Sequence, residues 1–515
     1  MGSGWRRVAT TAAFGGAAGW FAWEALHRPL RDRQADLQVY YGAVHAVAHG
    51  GALYSYGAPN GGPFTYPPFA LLLFWPVGWL PLAVLRVVWT VVTCAAVVGL
   101  AAVLFRRMPW LAALALLVSA PLQSNLRFGQ VSVFVVLVAL VDAAGLVPQR
   151  WRGVLVGLAA AVKLTPLVFV PYFLVTGQRR AALRATGAFL AAAALAAVVL
   201  PGDSVDFWTH AVFTTSRVGD VASAGNQSLN GMLLRMPVLP SHREVALAAL
   251  CAVVCGAALY RSKWLYDLNR PVEAAVTTGC ASLAVSPVSW THHQVWTVLA
   301  GLLLFTRRDL PRRTAAVVVL LAMTWRVPGL SGFLSTNARG LCAVGICCLG
   351  LVAAWRAART PVLTLGGRFT IRARALAAGG AVGLVVAGFA VATGIISVVY
   401  LQPYMLTSPR WQAAIGRATD DPAAPPITYT STDPHGLGVV KAVGATVPRV
   451  RHLVLRVTPQ GPEYTVPLFA GPVDGTHVFA FAVSANTGTL VAYDARGRRV
   501  TEIPVVAWVG DPART

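Results

Sequence analysis

The sequence predicts an all-α polytopic membrane bundle of about thirteen transmembrane helices, with a small β-rich domain at its C-terminal end. Three observations predict it. Of 515 residues, 56% are hydrophobic and 12% charged, with a mean hydropathy of +0.62, whereas a soluble globular chain carries roughly 25% charged residues. Apolar stretches of spanning length recur through residues 1–401, and arginine clusters punctuate them at intervals that suit hairpins through a bilayer. Beyond residue 402 the pattern changes to alternating β-branched and aromatic runs divided by turn signals. The organisation is therefore a membrane domain over 1–401 and a linker with a β-rich domain over 402–515.

The net charge of +23 invites a nucleic-acid reading, but its distribution argues against one. Residues 1–401 hold 32 Lys and Arg against 11 Asp and Glu, while 402–515 hold 10 against 8. The excess lies between the hydrophobic spans, at Arg6-Arg7, Arg106-Arg107, Arg150 with Arg152, Arg179-Arg180 with Arg184, Arg261 with Lys263, Arg307-Arg308 with Arg312-Arg313, and Arg356 to Arg374. The positive-inside rule assigns these clusters to the cytoplasm, where they serve as topology signals and contacts to anionic headgroups of membrane lipids.

That assignment sets the trace. Spans fall near 8–26, 84–105, 110–122, 131–147, 153–163, 165–177, 185–201, 244–260, 272–287, 290–306, 314–331, 338–355 and 376–399, with the N-terminus inside and the tail outside. Residues 1–26 start like a signal peptide, but no small-residue cleavage site follows and Glu24 interrupts the run, so they read as a retained first helix. The stretch 110–122 and the pair around Lys163-Leu164-Thr165-Pro166 fall short of the roughly 20 residues a crossing needs, and read as tilted, broken or re-entrant. The seven cysteines all lie in expected spans and behave as small apolar residues. No disulfide framework or metal-ligand spacing is present. In the tail, His452-Leu453-Val454-Leu455-Arg456-Val457 and Val478-Phe479-Ala480-Phe481-Ala482-Val483 read as strands. Turns are expected at Pro459-Gln460-Gly461, Asp474-Gly475 and Asn486-Thr487-Gly488, after the linker Asp421-Pro422-Ala423-Ala424-Pro425-Pro426.

On this trace every polar constellation falls on the outer side. The first outer loop, 27–83, carries Asp32, Asp36, Tyr40, Tyr41, His45, Tyr54, Tyr56 and Tyr66. Such a mixture suits stacking on sugar rings, although tyrosines at headgroup level also form ordinary aromatic belts. A carboxylate at the mouth of a membrane bundle is costly without a task, which singles out Asp36. Next come Gln123-Ser124-Asn125-Leu126-Arg127-Phe128-Gly129-Gln130-Val131-Ser132, where Arg127 is a candidate phosphate grip and the amides are alternatively helix caps. Lys163 is a lone cation between apolar runs, explained by snorkelling or by a phosphate partner. The loop 202–243 contributes Gly225-Asn226-Gln227-Ser228-Leu229-Asn230-Gly231 with Arg235. Finally Ser286-Pro287-Val288-Ser289-Trp290-Thr291-His292-His293 brings an indole and two imidazoles to the bundle mouth. Adjacent helical residues point about 100° apart, so one of the two histidines is expected to face a cavity.

These residues, in this order, resemble the integral-membrane glycosyltransferases of the GT-C class, family 87. The resemblance covers roughly 30–300. It rests on Asp36 with Tyr40, Tyr66-Pro67-Pro68-Phe69, Gly129-Gln130-Val131-Ser132, Lys163-Leu164-Thr165-Pro166, Asn226-Gln227-Ser228 and Ser286-Pro287-Val288-Ser289-Trp290 followed by His292-His293. It implies transfer of a mannosyl residue from a polyprenyl-phosphate donor to a lipid-linked or cell-envelope glycan acceptor outside the membrane, with inversion. On that implication Asp36 is the general base. His292, His293, Lys163 and Arg127 hold the leaving phosphate, and Tyr40, Tyr66, Gln130, Asn226, Gln227 and Trp290 orient the two sugars. There is no clustered DxD pair for a divalent ion, so neither a metal nor another cofactor is expected.

Two other readings compete. Nothing in these motifs reads sugar stereochemistry, so arabinose or glucose on the same lipid phosphate is an alternative. A transporter or flippase is the second, but its polar groups should gather near the midplane in paired broken helices, and no internal repeat is found. A scaffold with a polymer-binding tail leaves the acidic, amide and histidine clusters unexplained.

Overall fold

The computed structural model describes residues 2–351 apart from 31, 59–61, 107, 237–239 and 325–332, and residues 427–506 apart from 433–439, 448, 458–462, 467, 471–476 and 484–486. The expected span 376–399, the basic cluster Arg356 to Arg374, the linker Asp421 to Pro426 and the turns at 459–461 and 474–475 lie outside the described residues. The chain divides into two units, Met1–Ser397 and Val398–Thr515.

The first unit is helical. It begins with α1 (Gly2–Leu26), α2 (Ala35–Ala48), α3 (Pro68–Phe74), α4 (Leu82–Leu104), α5 (Pro109–Leu117) and α6 (Ala120–Phe128). It continues with α7 (Ser132–Ala143), α8 (Val154–Val162), α9 (Phe169–Val175), α10 (Arg179–Val199), α11 (Pro201–Thr209) and α12 (Leu229–Leu234). Then come α13 (Pro240–Asp267), α14 (Pro271–Val285), α15 (Val295–Phe305), α16 (Leu310–Thr324), α17 (Phe333–Thr336) and α18 (Ala338–Cys348). Proline at the first or second position opens α3, α5, α6, α11 and α14, where a missing N–H costs nothing.

Proline and short polar turns also divide the apolar runs. Among the described residues, three helices are by length and composition able to cross a membrane, Leu82–Leu104, Arg179–Val199 and Arg243–Asp267, and α5 with α6 make a fourth only as a pair bent by 69°. The shorter apolar helices of the described residues run to 10–17 residues, so helix length there does not by itself mark each of the thirteen expected spans. The break after Val162, where Lys163 turns extended at φ −150° and ψ 119° ahead of Pro166, is one reason. One apolar helical segment, Pro68–Trp79, lies where the sequence reading has only a loop. Its run of Phe, Leu and Trp carried the signal, masked by the prolines at both ends.

At the centre stands α14, with every residue from Ala274 to Val285 buried, packed against α13, α15 and α18. Its small side chains allow close approach, the device by which helices associate where no hydrophobic drive separates protein from lipid. A second apolar cluster packs Leu37, Tyr40, Phe64, Tyr66, Leu71 and Phe74 onto Val131, Val135, Ala159 and Val162. That cluster folds α2 and the segment after it over the start of α7 and the end of α8. It thereby sets the position of Asp36.

The second unit holds two antiparallel sheets. One has the order β1-β2-β6-β5 from Ile427–Thr432, Val440–Thr446, His477–Val483 and Phe469–Ala470; the other has β4-β3-β7-β8 from Glu463–Val466, His452–Val457, Thr487–Tyr493 and Arg499–Val506. Alternate residues Leu453, Leu455, Phe479, Leu490 and Ala492 turn inward to a core with Ile427, Val450 and Val466. Thr487 and Gly488, expected in a turn, instead open β7 opposite Val506 and Val505, because continuing the ladder satisfies their backbone groups.

Candidate active site

Asp36 occupies the first turn of α2, where a carboxylate is favoured by the helix dipole. Half-buried, it accepts a hydrogen bond on Oδ2 from Gln130 Nε2. Burial pushes its carboxyl up to about 6, against the opposing pull of that bond and of the Lys163 charge.

Gln130 is held for this purpose. Tyr66 donates to its Oε1 at 3.0 Å and Tyr40 at 3.3 Å, the two phenol oxygens being 3.0 Å apart. An acceptor-only carboxylate requires the NH2 end of the amide, so the phenols on Oε1 and the carboxylate on Nε2 agree on one orientation. Gly129 makes the approach possible. It ends α6 at φ +67°, and a Cβ there would stand 2.7 Å from Leu37 Cβ.

Lys163 comes to the same place from the break after α8. Its Nζ bonds Ser132 Oγ at 3.2 Å and His293 Nε2 at 2.8 Å, and lies 5.4 Å from the centre of the Tyr66 ring. His293 belongs to a single turn, Thr291–His293, with its Nδ1 3.2 Å from the Trp290 backbone nitrogen. Lys163, His293 and Ser132 stand at a small, partly open pocket whose walls include Val135, Val136, Phe169, Leu283 and Trp296 together with Thr165, Ser282, Ser286 and Ser289.

Several expected ligand groups do not line that pocket. Tyr40 is 1% exposed and stacks on Phe74 with ring centroids 4.7 Å apart, so its ring face is covered and its hydroxyl is spent on Gln130 and Tyr66. His292 does not line the cavity. Its ring meets that of His293 edge-on with centroids 4.4 Å apart, beside Phe128, and its carbonyl accepts from Asn125 Nδ2 at 2.9 Å. Arg127 is exposed on the last turn of α6, with its guanidinium 5.0 Å from the Phe128 ring centre. Trp290 is half-buried against Gly225, where a Cβ would come within 3.2 Å of the indole.

The amide pair Asn226-Gln227 is engaged by the main chain. Asn226 accepts the Ser289 N–H at 2.9 Å on Oδ1 and donates to the carbonyls of Val221 and Pro287 at 2.8 and 3.2 Å. Gln227 donates to Ala224 and Thr336 carbonyls at 2.6 and 2.7 Å and accepts the Gly340 N–H at 3.0 Å. Both are buried, and their polar atoms are spent on the main chain rather than offered to sugars. Arg235 completes this frame by donating to the Ser223 and Asn226 carbonyls and to Asn337.

Sequence reading passed over the role of Ser132 as partner of Lys163 and that of Asn125 as a bridge. Asn125 Oδ1 also accepts the Val133 N–H at 3.2 Å, tying α7 to the His292 turn. The signal was present for Ser132, which shares one short motif with Gln130.

The arrangement joins a carboxylate of raised basicity, a fixed amide and a cation beside an imidazole. It can take a proton from one group while meeting negative charge on another. Residues 64–287 match the sequence profile of Glycosyltransferase family 87. The chain is 33% identical over 346 residues to the polyprenol-phosphate-mannose-dependent alpha-(1-2)-phosphatidylinositol mannoside mannosyltransferase of Mycobacterium tuberculosis, covering 60% of this chain and 80% of that protein. It is 33% identical over 352 residues to the protein of the same description from Mycolicibacterium smegmatis, covering 60% and 78%. A polyprenol-phosphate-mannose-dependent alpha-(1-2)-phosphatidylinositol pentamannoside mannosyltransferase of Mycobacterium tuberculosis is 31% identical over 316 residues, covering 58% and 71%. No solved structure matches.

Proposed function

Because the chain belongs to glycosyltransferase family 87, and is a glycosyltransferase, we propose that it moves a mannosyl residue from a polyprenyl-phosphate donor to a hydroxyl of a phosphatidylinositol mannoside or related glycolipid. The reaction takes place at the outer face of the cell membrane, inverts the anomeric centre and needs no metal ion. The observation that carries the reading is Asp36, clasped by Gln130 and within Coulomb reach of Lys163.

In this mechanism Asp36 takes the proton of the acceptor hydroxyl as its oxygen attacks the anomeric carbon. The bond from that carbon to the phosphate oxygen breaks, and its electron pair leaves with the polyprenyl phosphate. A β-linked donor thus yields an α-mannoside. A carboxyl near 6 is ionised at neutral pH yet a stronger base than an ordinary carboxylate. Charge building on the leaving phosphate is met by Lys163 and His293, which obviates a bound cation. The apolar walls beyond them, Val135, Phe169 and Trp296, suit the first isoprene units. The relatives' dependence on polyprenol-phosphate mannose and their phosphatidylinositol mannoside acceptors support the choice of donor and acceptor. The Arg clusters support the outer sidedness.

The test is transfer by the full chain in proteoliposomes from labelled polyprenyl phosphate mannose to phosphatidylinositol mannoside. An α-linked product formed equally with and without chelator is expected. No transfer, a β-linked product or a rate that needs added divalent metal contradicts the proposal.

A further inference from the structure

Guanidiniums gather where the chain passes from α1 to α2 and meets the start of α4. Arg33 Nε donates to the Arg28 carbonyl at 2.9 Å, and Arg86 Nη2 reaches the Arg33 carbonyl at 3.5 Å. Arg28 is neutralised by Glu24 at 2.7 Å. Arg33 and Arg86 are not: their charges repel each other, and neither joins an ion pair among the described residues. Arg86 is 8% exposed, and its Nε has no partner.

The neighbouring polar groups are equally unspent. Gln34, fully buried and held at φ 48°, donates to Thr90 at 2.8 Å while its Oε1 has no partner, and Trp89 Nε1 and Thr93 Oγ1 on the same face of α4 have none either. A non-glycine residue keeps a left-handed backbone only where its surroundings impose it. Two like charges near a low-dielectric interior are costly unless an anion joins them. On the proposed outer side, Arg28, Arg31 and Arg33 within six residues also run against the positive-inside rule.

We propose that Arg33 and Arg86 bind the phosphodiester of the glycolipid acceptor, a site that rests on the function proposed above. A phosphodiester supplies one negative charge and two acceptor oxygens, matching the guanidinium fork. Arg33 lies three residues before Asp36, so an acceptor held by its phosphate carries its sugar towards the base. The leaving phosphate of the donor belongs to Lys163 and His293, and the two anions do not compete.

Native mass spectrometry of the full chain with phosphatidylinositol, with phosphatidylglycerol and with neutral mannosyl diacylglycerol tests the site. The double variant Arg33→Gln with Arg86→Gln should retain phosphatidylinositol at least about tenfold less than the wild type, and neutral lipid equally. Arg33→Lys with Arg86→Lys should keep most of the binding. In the transfer assay the glutamine variant should raise KM for phosphatidylinositol mannoside by about the same factor and leave KM for the donor in place. Phosphatidylglycerol, which carries the same phosphodiester, should follow phosphatidylinositol; equal retention of phosphatidylinositol by the glutamine variant, or its loss together with the neutral lipid, overturns the assignment. A wild type that binds phosphatidylinositol selectively through these arginines yet transfers no mannose keeps the site and overturns the proposed function alone.

Discussion

Two amide-rich regions of this molecule look alike in sequence and differ in what their side chains touch. Gln130 bonds a carboxylate and two phenols; Asn226 and Gln227 bond backbone N–H and C=O groups from segments far along the chain. The first arrangement leaves its fixed charge, Asp36, open to exchange a proton. The second leaves nothing to exchange. An amide that ends on an ionisable side chain tunes chemistry, whereas one that ends on the main chain holds architecture.

The comparison breaks most sharply at Asp36. Replacing it with Asn should lower the transfer rate by about 10² to 10⁴, the range for a lost general base, with donor binding and the unfolding midpoint unchanged. Lys163→Met should follow, with a loss of roughly 10² in kcat from the missing charge on the leaving phosphate, read by single-turnover kinetics. In the other region, Asn226→Ala or Gln227→Ala leaves buried backbone groups unpaired. Each should cost about 1–3 kcal/mol of stability, measured by denaturation, while activity per folded molecule changes little. An inactive but fully stable Gln227→Ala would merge the two regions again.

A finer test separates Gln130 from the base it holds. Its hydrogen bond lowers the Asp36 carboxyl against the rise from burial. Gln130→Met should therefore move the acid limb of the pH–rate profile above 6, with a modest loss at neutral pH. Arg127→Ala, at an exposed position beside Phe128, should change the rate by no more than about twofold.

Much of this was legible before the structure. The membrane class follows from composition, and Asp36, Lys163, Gln130 and His293 all lie in motifs the sequence marks. Periodicity also said that only one of two adjacent histidines faces a cavity. It did not say which, because the choice is made by Asn125 holding the His292 carbonyl and by the Trp290 backbone nitrogen beside His293 Nδ1. The contacts of the 226–227 amides were not legible for a related reason: their partners at Ser289, Thr336 and Gly340 are remote in sequence. Tyr40 looked like a stacking platform until Phe74, on a helix hidden between prolines, covered its face. In each case a local pattern identified a polar or aromatic group, and a nonlocal contact decided its use.

Asp36, with its carboxyl pushed up to about 6, is the proposed base. Single-turnover transfer with donor already bound, followed from pH 5 to 8 for the wild type and Asp36→Asn, tests it most directly. The wild-type rate should fall tenfold per unit below about 6 as the carboxylate is protonated, and the slow variant should lack this limb. A variant that turns over at the wild-type rate, or that keeps the same acid limb, contradicts it.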